Sequence, residues 1–377
     1  MLKRLLCSLP LPVKLTANRL LFALDGKKRA ALSTLEDVPA RSDFPRVNER
    51  PFKADMKERL VTFGGSASYV EQYIHALYHD RLTLMDEGRM DETLPAIICV
   101  VKNEADKLRA FFDHYDRLGR VNYLFIDNGS TDESVAMMKA HNARIYTTDE
   151  AFSTVRKSAW IELVYTTLPE GMWTILLDAD ELLVYDGYEQ LPLNELLAAF
   201  DRHGMDTAGA VMIDMFSPTQ PASANYMDDY VWFENNFHEE KSFLFNSIYG
   251  GIREREFNFT DSRAFLIKKY PVAKKDSRSV LANPHTVWPY ERNFRADTWF
   301  GLLHYKLFDR ELEKYRRIAR EGSYHHGSTE YKMYLQAFAQ KSYEDIFRTG
   351  PDSVHYEGTP SLRKIACLKD AEKLAER

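Results

Sequence analysis

Trp173-Thr174-Ile175-Leu176-Leu177-Asp178-Ala179-Asp180-Glu181 is a short apolar run closed by two aspartates one residue apart. Thr174 to Leu177 show no polar alternation, the pattern of a strand covered on both faces, as in a parallel sheet flanked by helices. Such strands carry chemistry at their carboxyl ends. On an extended chain, residues two apart point the same way. The spacing therefore predicts that Asp178 and Asp180 present their carboxylates to one side while Ala179 turns toward packing. With Glu181 beside them, they concentrate negative charge that a hard cation would neutralise. For a single D-x-D, a solvated turn or a helix N-cap is the plainer explanation, so the neighbouring elements have to decide.

Upstream, Ala96 to Val101 (AIICVV) reads as a second buried strand, followed by Lys102-Asn103-Glu104 and an amphipathic helix carrying Leu108, Phe111, Phe112, Tyr115 and Leu118. A third strand, Asn122 to Ile126, runs into Asp127-Asn128-Gly129-Ser130-Thr131-Asp132, a turn in which Ser130 or Thr131 could cap the next helix. A fourth, Ala143 to Thr147, precedes a helix over about 154–168 that leads into Trp173. Strand and helix alternate at short spacing, which predicts an α/β fold with right-handed crossovers and a doubly wound, mostly parallel sheet. Asn103, Asp127 and Asp178 then stand at the carboxyl ends of three strands, where such sheets form a crevice for phosphates and nucleotides. Each has a duller reading, Asn103 and Asp132 as helix caps and Asp127 as a turn former.

The chain has 377 residues, a formal net charge of −6 and three cysteines. That length can bury a large core, and the charge disfavours wholesale nucleic-acid binding. Cys7, Cys99 and Cys367 lie far apart; Cys99 sits in an apolar run as a small hydrophobe, and a reducing, cytoplasmic setting fits. No apolar run reaches the ~20 residues that span a bilayer, and Pro10, Pro12 and Lys14 interrupt the opening apolar stretch before it resembles an export signal. From Met1 to Ala31 seven Lys or Arg face one acid, Asp25, with leucines between them. Such a stretch can lie peripherally on an anionic membrane, at its inner face, or can dock as a basic helix on its own domain. Residues 32–68, with Pro39, Pro45, Pro51 and Gly64-Gly65, read as a loop-rich arm, and 69–85 as an amphipathic helix.

The sequence N-E, then D-N-G-S-T-D, then D-A-D-E, each in its strand context, resembles the nucleotide-sugar-binding half of family 2 glycosyltransferases with the GT-A fold; the match covers about residues 95–185. The resemblance implies a GT-A type sheet in 94–308 (nucleotide-sugar half 94–185, acceptor half 186–308) between a helical basic extension, 1–93, and a helical C-terminal extension, 309–377. It implies a metal-dependent inverting transferase that uses Mn²⁺ or Mg²⁺, takes a nucleotide-sugar donor and serves a glycan or lipid-linked acceptor in surface polysaccharide assembly. Donor contacts would come from Asn103, Glu104, Asp127 and Asp178, and metal contacts from Asp178 and Asp180. In some members of this fold a late histidine closes the metal shell, which makes His304 a candidate ligand and Lys306 a phosphate contact; a hydrogen-bonded core histidine is the alternative.

Departure of a nucleoside diphosphate builds charge on phosphate oxygens, and a carboxylate must accept the proton of the attacking hydroxyl. Asp214, at the end of a strand over about 208–213, Glu239 and Glu240 are the candidate bases, each with a solvated or salt-bridged alternative. In Gly250-Gly251-Ile252-Arg253-Glu254-Arg255 the glycines permit close approach, and on an extended chain Arg253 and Arg255 would face an anion together, or else form a bulge with surface arginines. The tail reads as helices without chemistry of its own, with His325-His326 at the surface. Asn128-Gly129-Ser130 and Asn258-Phe259-Thr260 match glycosylation acceptors that a cytoplasmic chain would not use. A dehalogenase-type phosphatase would want Thr or Val where Leu182 stands, and a nucleotidyltransferase a glycine-rich loop where Lys102-Asn103-Glu104 stands. A degenerate GT-A domain that binds glycans or a partner is the non-catalytic alternative.

Overall fold

The computed structural model describes residues 9–63, 65–223, 225–241, 246–257, 266–283, 285–306, 311–322 and 325–376. Cys7, Lys3, Arg4 and the Asn258-Phe259-Thr260 motif lie outside them, as do the side chains of His325 and His326.

Four helices come first: α1 (Leu11–Leu24), α2 (Gly26–Asp37), α3 (Arg50–Phe63) and α4 (Ala67–His79). The expected loop-rich arm is therefore largely helical. Pro51 falls in the first turn of α3, where its missing N–H is no loss, and Phe52, Met56 and Leu60 recur every fourth residue on the buried face. The predicted helix over 69–85 stops at His79, and Thr83–Asp86 becomes strand β1 instead. The alternation then proceeds through β2 (Ala96–Val101), α5 (Ala105–Leu118), β3 (Asn122–Asp127), α6 (Ser134–Ala140), β4 (Arg144–Thr147), α7 (Thr154–Thr166) and β5 (Trp173–Leu177). Next come β6 (Glu181–Val184), α8 (Leu193–Arg202), β7 (Thr207–Asp214), α9 (Gly251–Phe257), β8 (Lys268–Lys274), β9 (Thr298–His304), α10 (Leu312–Glu321) and α11 (His325–Gln340).

One nine-stranded sheet has the order β1-β4-β3-β2-β5-β8-β7-β9-β6. β4, β3, β2 and β5 are parallel, β7 and β9 run with them, and β1, β8 and β6 run against them. The fold is α/β with a mixed sheet in which most strands share one direction. Its two faces carry separate cores. Ile97, Cys99, Phe125, Ile175 and Leu177 pack under α5 and α8, while Ile98, Leu124, Ile126 and Leu176 pack against α7 and the four N-terminal helices. Strand periodicity sorts these residues, and the N-terminal extension is thus the cover of one face.

The connection from β5 to β6 bends the sheet. In a flat sheet these strands would stand four spacings apart, ~19 Å, yet the chain from Leu177 to Glu181 spans at most ~14 Å, and the Glu181 N–H donates back to the Asp178 carbonyl at 3.0 Å. The sheet curls around Asp178-Ala179-Asp180 and gathers the carboxyl ends of β5, β7 and β9 with the start of β6.

Beneath that curl, His114 of α5 is buried with Nε2 2.8 Å from the Leu183 carbonyl of β6. Burial pushes its pKa from 6.5 down to about 4, only partly opposed by that bond and reinforced by Arg117. Between those pH values the unfolded chain binds a proton that the folded chain refuses, so stability is full above pH 6.5 and falls toward pH 4. We predict a slope of up to ~1.4 kcal/mol per pH unit from this group. Urea denaturation across pH 4–7 should show a shallower dependence for His114→Gln; identical slopes would refute the assignment.

Candidate functional site

Three residues form a row across the curled end. His304, last in β9, pairs with Asp214, last in β7, and with Glu181, first in β6. The His304 Nδ1 lies 2.6 Å from Asp214 Oδ1, a contact in which the ring N–H donates to the carboxylate, and Nε2 is turned toward Asp180 Oδ2, 3.8 Å away. Ligand atoms of Asp180, Glu181 and His304 lie within 4.8 Å of one another. Two ligands each ~2.1 Å from one ion stand roughly 3–4.2 Å apart, so the Asp180–His304 pair fits a divalent cation. Glu181 is buried, ion-paired with Lys269 of β8, and accepts the Asp178 N–H at 3.2 Å.

Asp178 and Asp180 do not share one face of an extended chain as the spacing predicted, because the chain turns between them. The Asp178 carboxylate pairs with Lys157 of α7. Burial would raise its pKa, but Lys157 and Lys269 outweigh that and hold it low. Asp180 takes a different set of partners, though its charge still reaches Asp178. Burial again opposes charge, and His304, Lys107, Lys306 and Lys314 together keep its carboxyl well below the usual range. Asp180 is 17% exposed, so the carboxylate reaches solvent.

Asp214, expected as a base, is buried between His304 and Arg253, whose Nε donates to its Oδ2 at 2.7 Å. Burial raises its pKa, and Arg253 and His304 more than reverse the effect. A carboxylate so committed orients the histidine and is poorly disposed to collect a proton. Arg253 and Arg255 part company because Gly251–Phe257 is helical, placing residues two apart ~200° around the axis. Gly250 and Gly251 make the turn that starts it, at φ 124° and 72°; a Cβ on Gly250 would meet the backbone of Asn236 and Phe237 at 2.8–2.9 Å. Arg253 reaches the site, whereas Arg255 pairs with Glu234 and donates to the carbonyls of Ile346 and Arg348 at 3.1 and 2.8 Å. Glu239 and Glu240 are exposed on a short strand, opposite Ile248 and Ser247 of its antiparallel partner.

The C-terminal helices, read from sequence as a tail without chemistry of its own, bring charged side chains to this cluster. Glu330 of α11 takes Lys306 at 3.1 Å, Arg253 at 3.5 Å and the Tyr334 hydroxyl, all on Oε1. Against burial, Lys306 and Arg253 hold its pKa down at about 2. Glu311, just before α10, and Glu104 hold the buried Lys107, at 2.5 and 3.0 Å, and Lys314 of α10 pairs with Glu104 at 2.7 Å. Nothing in the tail's amphipathic spacing marks these charges as inward-facing. Lys269 left a trace, since a buried-strand reading of KKYPVAK demands partners for two lysines; Lys268 and Lys269 are 6% and 5% exposed. Pro271 hid that strand, and it sits where the β8–β7 register slips.

The loops after β2 and β3 are tied together. Asn103, at φ 55°, accepts the Thr131 N–H on Oδ1 at 2.7 Å, and its own N–H donates to Ser130 Oγ at 2.9 Å. Asp127 is buried and accepts the N–H groups of Gly129 and Ser130 at 3.2 Å. Asn128, also buried, donates to the carbonyls of Thr148 and Glu150. Asp132 receives the Ala105 and Ser134 N–H groups. Asn103 and Asp127 thus brace the loops after β2 and β3, beside the Asp178 turn.

No family model and no curated protein matches the chain. Among solved structures, it is similar to S. aureus TarS 1–349, at 12% identity over 65% of this chain and 70% of that one, with a TM-score of 0.28. It is also similar to glucosyl-3-phosphoglycerate synthase from Mycobacterium tuberculosis solved with Mn²⁺ and uridine-diphosphate-glucose, at 14% identity over 32% of this chain and 43% of that one, TM-score 0.23. The matched stretch spans less than half of the mycobacterial enzyme. Superpositions this loose carry no weight for chemistry.

Proposed function

We propose that this chain is a metal-dependent glycosyltransferase that moves a sugar from a nucleotide-sugar donor to a glycan or lipid-linked acceptor. The observation that supports the reading most is the Asp180–His304 pair, 3.8 Å apart and edged by lysines at the carboxyl ends of a curled α/β sheet. Asp180 and His304 would hold Mn²⁺ or Mg²⁺, and the ion would supply positive charge to the departing diphosphate. Lys157, Lys306 and Lys314, 20%, 19% and 29% exposed, are placed to donate to phosphate oxygens. Asn103, Glu104, Asp127 and Asp178 would border the nucleoside.

Asp214, accepting from Nδ1, would present the His304 Nε2 to the ion and is a positioning residue. Glu330, 29% exposed and pinned through Oε1 by Lys306, Arg253 and Tyr334, would orient the acceptor hydroxyl rather than collect its proton. Its low pKa keeps it ionised and able to accept a hydrogen bond throughout the neutral range. Inversion at the anomeric carbon follows from one in-line displacement by that hydroxyl.

A panel of nucleotide sugars incubated with the full chain tests the reading through release of nucleoside diphosphate. We expect release with one donor in Mn²⁺, loss in chelator and recovery on adding the ion back. Glu330→Gln should retain donor binding and lose turnover by ~10²-fold or more. A folded chain that neither binds nor cleaves any donor would favour the degenerate, non-catalytic domain.

A further inference from the structure

α1 carries two apolar faces where a docked helix needs one. Lys14, Leu15 and Phe22 are buried on the first, which packs on α2 and α3. Val13, Leu20, Leu21 and Leu24 form the second, centred roughly 130° around the axis at 100° per residue, and they are 47%, 61%, 65% and 82% exposed. Among the described residues, seven large hydrophobic side chains are exposed, and four are these. Scattered surface leucines need no explanation, but a second stripe on one 14-residue helix does.

The charge beside the stripe indicates what covers it. Lys27, Lys28 and Arg29 open α2 immediately beyond Leu24, and no ion pair is formed by any of them among the described residues. The one acid between, Asp25, is occupied in accepting the N–H groups of Lys27 and Lys28 at 3.1 Å. A second copy of the chain meeting this face about a two-fold axis would bring like cations together. An anionic bilayer offers hydrocarbon to the leucines and phosphate to the cations.

We propose that the outer face of α1, with Lys27 and Arg29, is a docking surface for anionic lipid membranes. The leucines enter the headgroup boundary, and the cations rest on lipid phosphates. No helix among the described residues is long and apolar enough to cross a membrane, so contact through this segment is peripheral. The surface stands independently of the transferase reading.

Flotation of the full chain with vesicles tests it, comparing phosphatidylcholine alone with mixtures rich in phosphatidylglycerol. We expect flotation only with the anionic mixture, reversed by salt, and weakened on the order of tenfold or more in Leu20→Gln/Leu21→Gln/Leu24→Gln. Lys27→Gln/Arg29→Gln should weaken binding several-fold. All five substituted sites are at the surface, so thermal midpoints should match wild type and show that folding is intact. Absence of flotation, or equal flotation of the leucine variant, would overturn the proposal. So would concentration-dependent dimerisation, seen by sedimentation and lost in the leucine variant, which would assign the face to a second copy.

Discussion

Asp180→Asn should remove metal-dependent nucleotide binding and leave the fold standing. The substitution keeps volume and removes one charge from a carboxylate that faces His304, Lys107, Lys306 and Lys314. The three lysines now lack this counter-ion, so the variant still attracts a diphosphate, but through lysines alone. We expect Mn²⁺ to tighten binding in the wild type and to have no effect in the variant, with the metal-linked part of the affinity reduced by ~100-fold or more. Calorimetric titration of nucleoside diphosphates with and without Mn²⁺ separates the two contributions. If Asp180→Asn kept the same metal dependence, the cation would have to sit elsewhere and the transfer reading would lose its main support.

The second large effect concerns stability. Asp214 and Arg253 are 1% and 5% exposed at the side chain and 2.7 Å apart. Removing one partner of such a pair strands the other in a medium where charge is poorly solvated, and typically destabilises by ~3–5 kcal/mol. Asp214→Leu alone should therefore unfold at markedly lower urea. Arg253→Met added to it should recover much of the loss, because a pair replaced by apolar groups of similar size leaves no orphaned charge. The double variant has nevertheless lost the acceptor that fixes the His304 tautomer. Its stability should return while its metal affinity stays down by ~10–100-fold. Recovery of both would show that Asp214 has no orienting role.

Much of the scaffold could be read in the sequence because buried parallel strands are written as unbroken apolar runs. AIICVV, NYLFI and WTILL announced β2, β3 and β5, and the positions just beyond them became loops at the carboxyl ends of these strands. What escaped is non-local. KKYPVAK reads as a basic, proline-broken loop until Glu181 is seen to neutralise Lys269 across 88 residues. α10 and α11 look like solvated helices because the partners of Lys314 and Glu330 come from other elements. The two aspartates were legible as a pair, but their partners were not, since the turn between them and the residues it meets follow from how the sheet closes. Arg253 and Arg255 failed for a related reason, as the glycine pair converts an extended reading into a helix.

The curl of the sheet also sets a schedule. His304 follows Asp180 by 124 residues (304 − 180), and Glu330 comes 26 later (330 − 304). At the ~5–20 residues per second of synthesis, His304 emerges some 6–25 s after the aspartate turn. Joining ends so distant carries a loop-closure cost and belongs among the last events of folding. A nascent or truncated chain ending before β9 would have its aspartates and two parallel halves of a crevice, but no histidine beside them and no cationic rim from the tail. On the proposed reading, competence to bind donor would mark a chain folded through its tail.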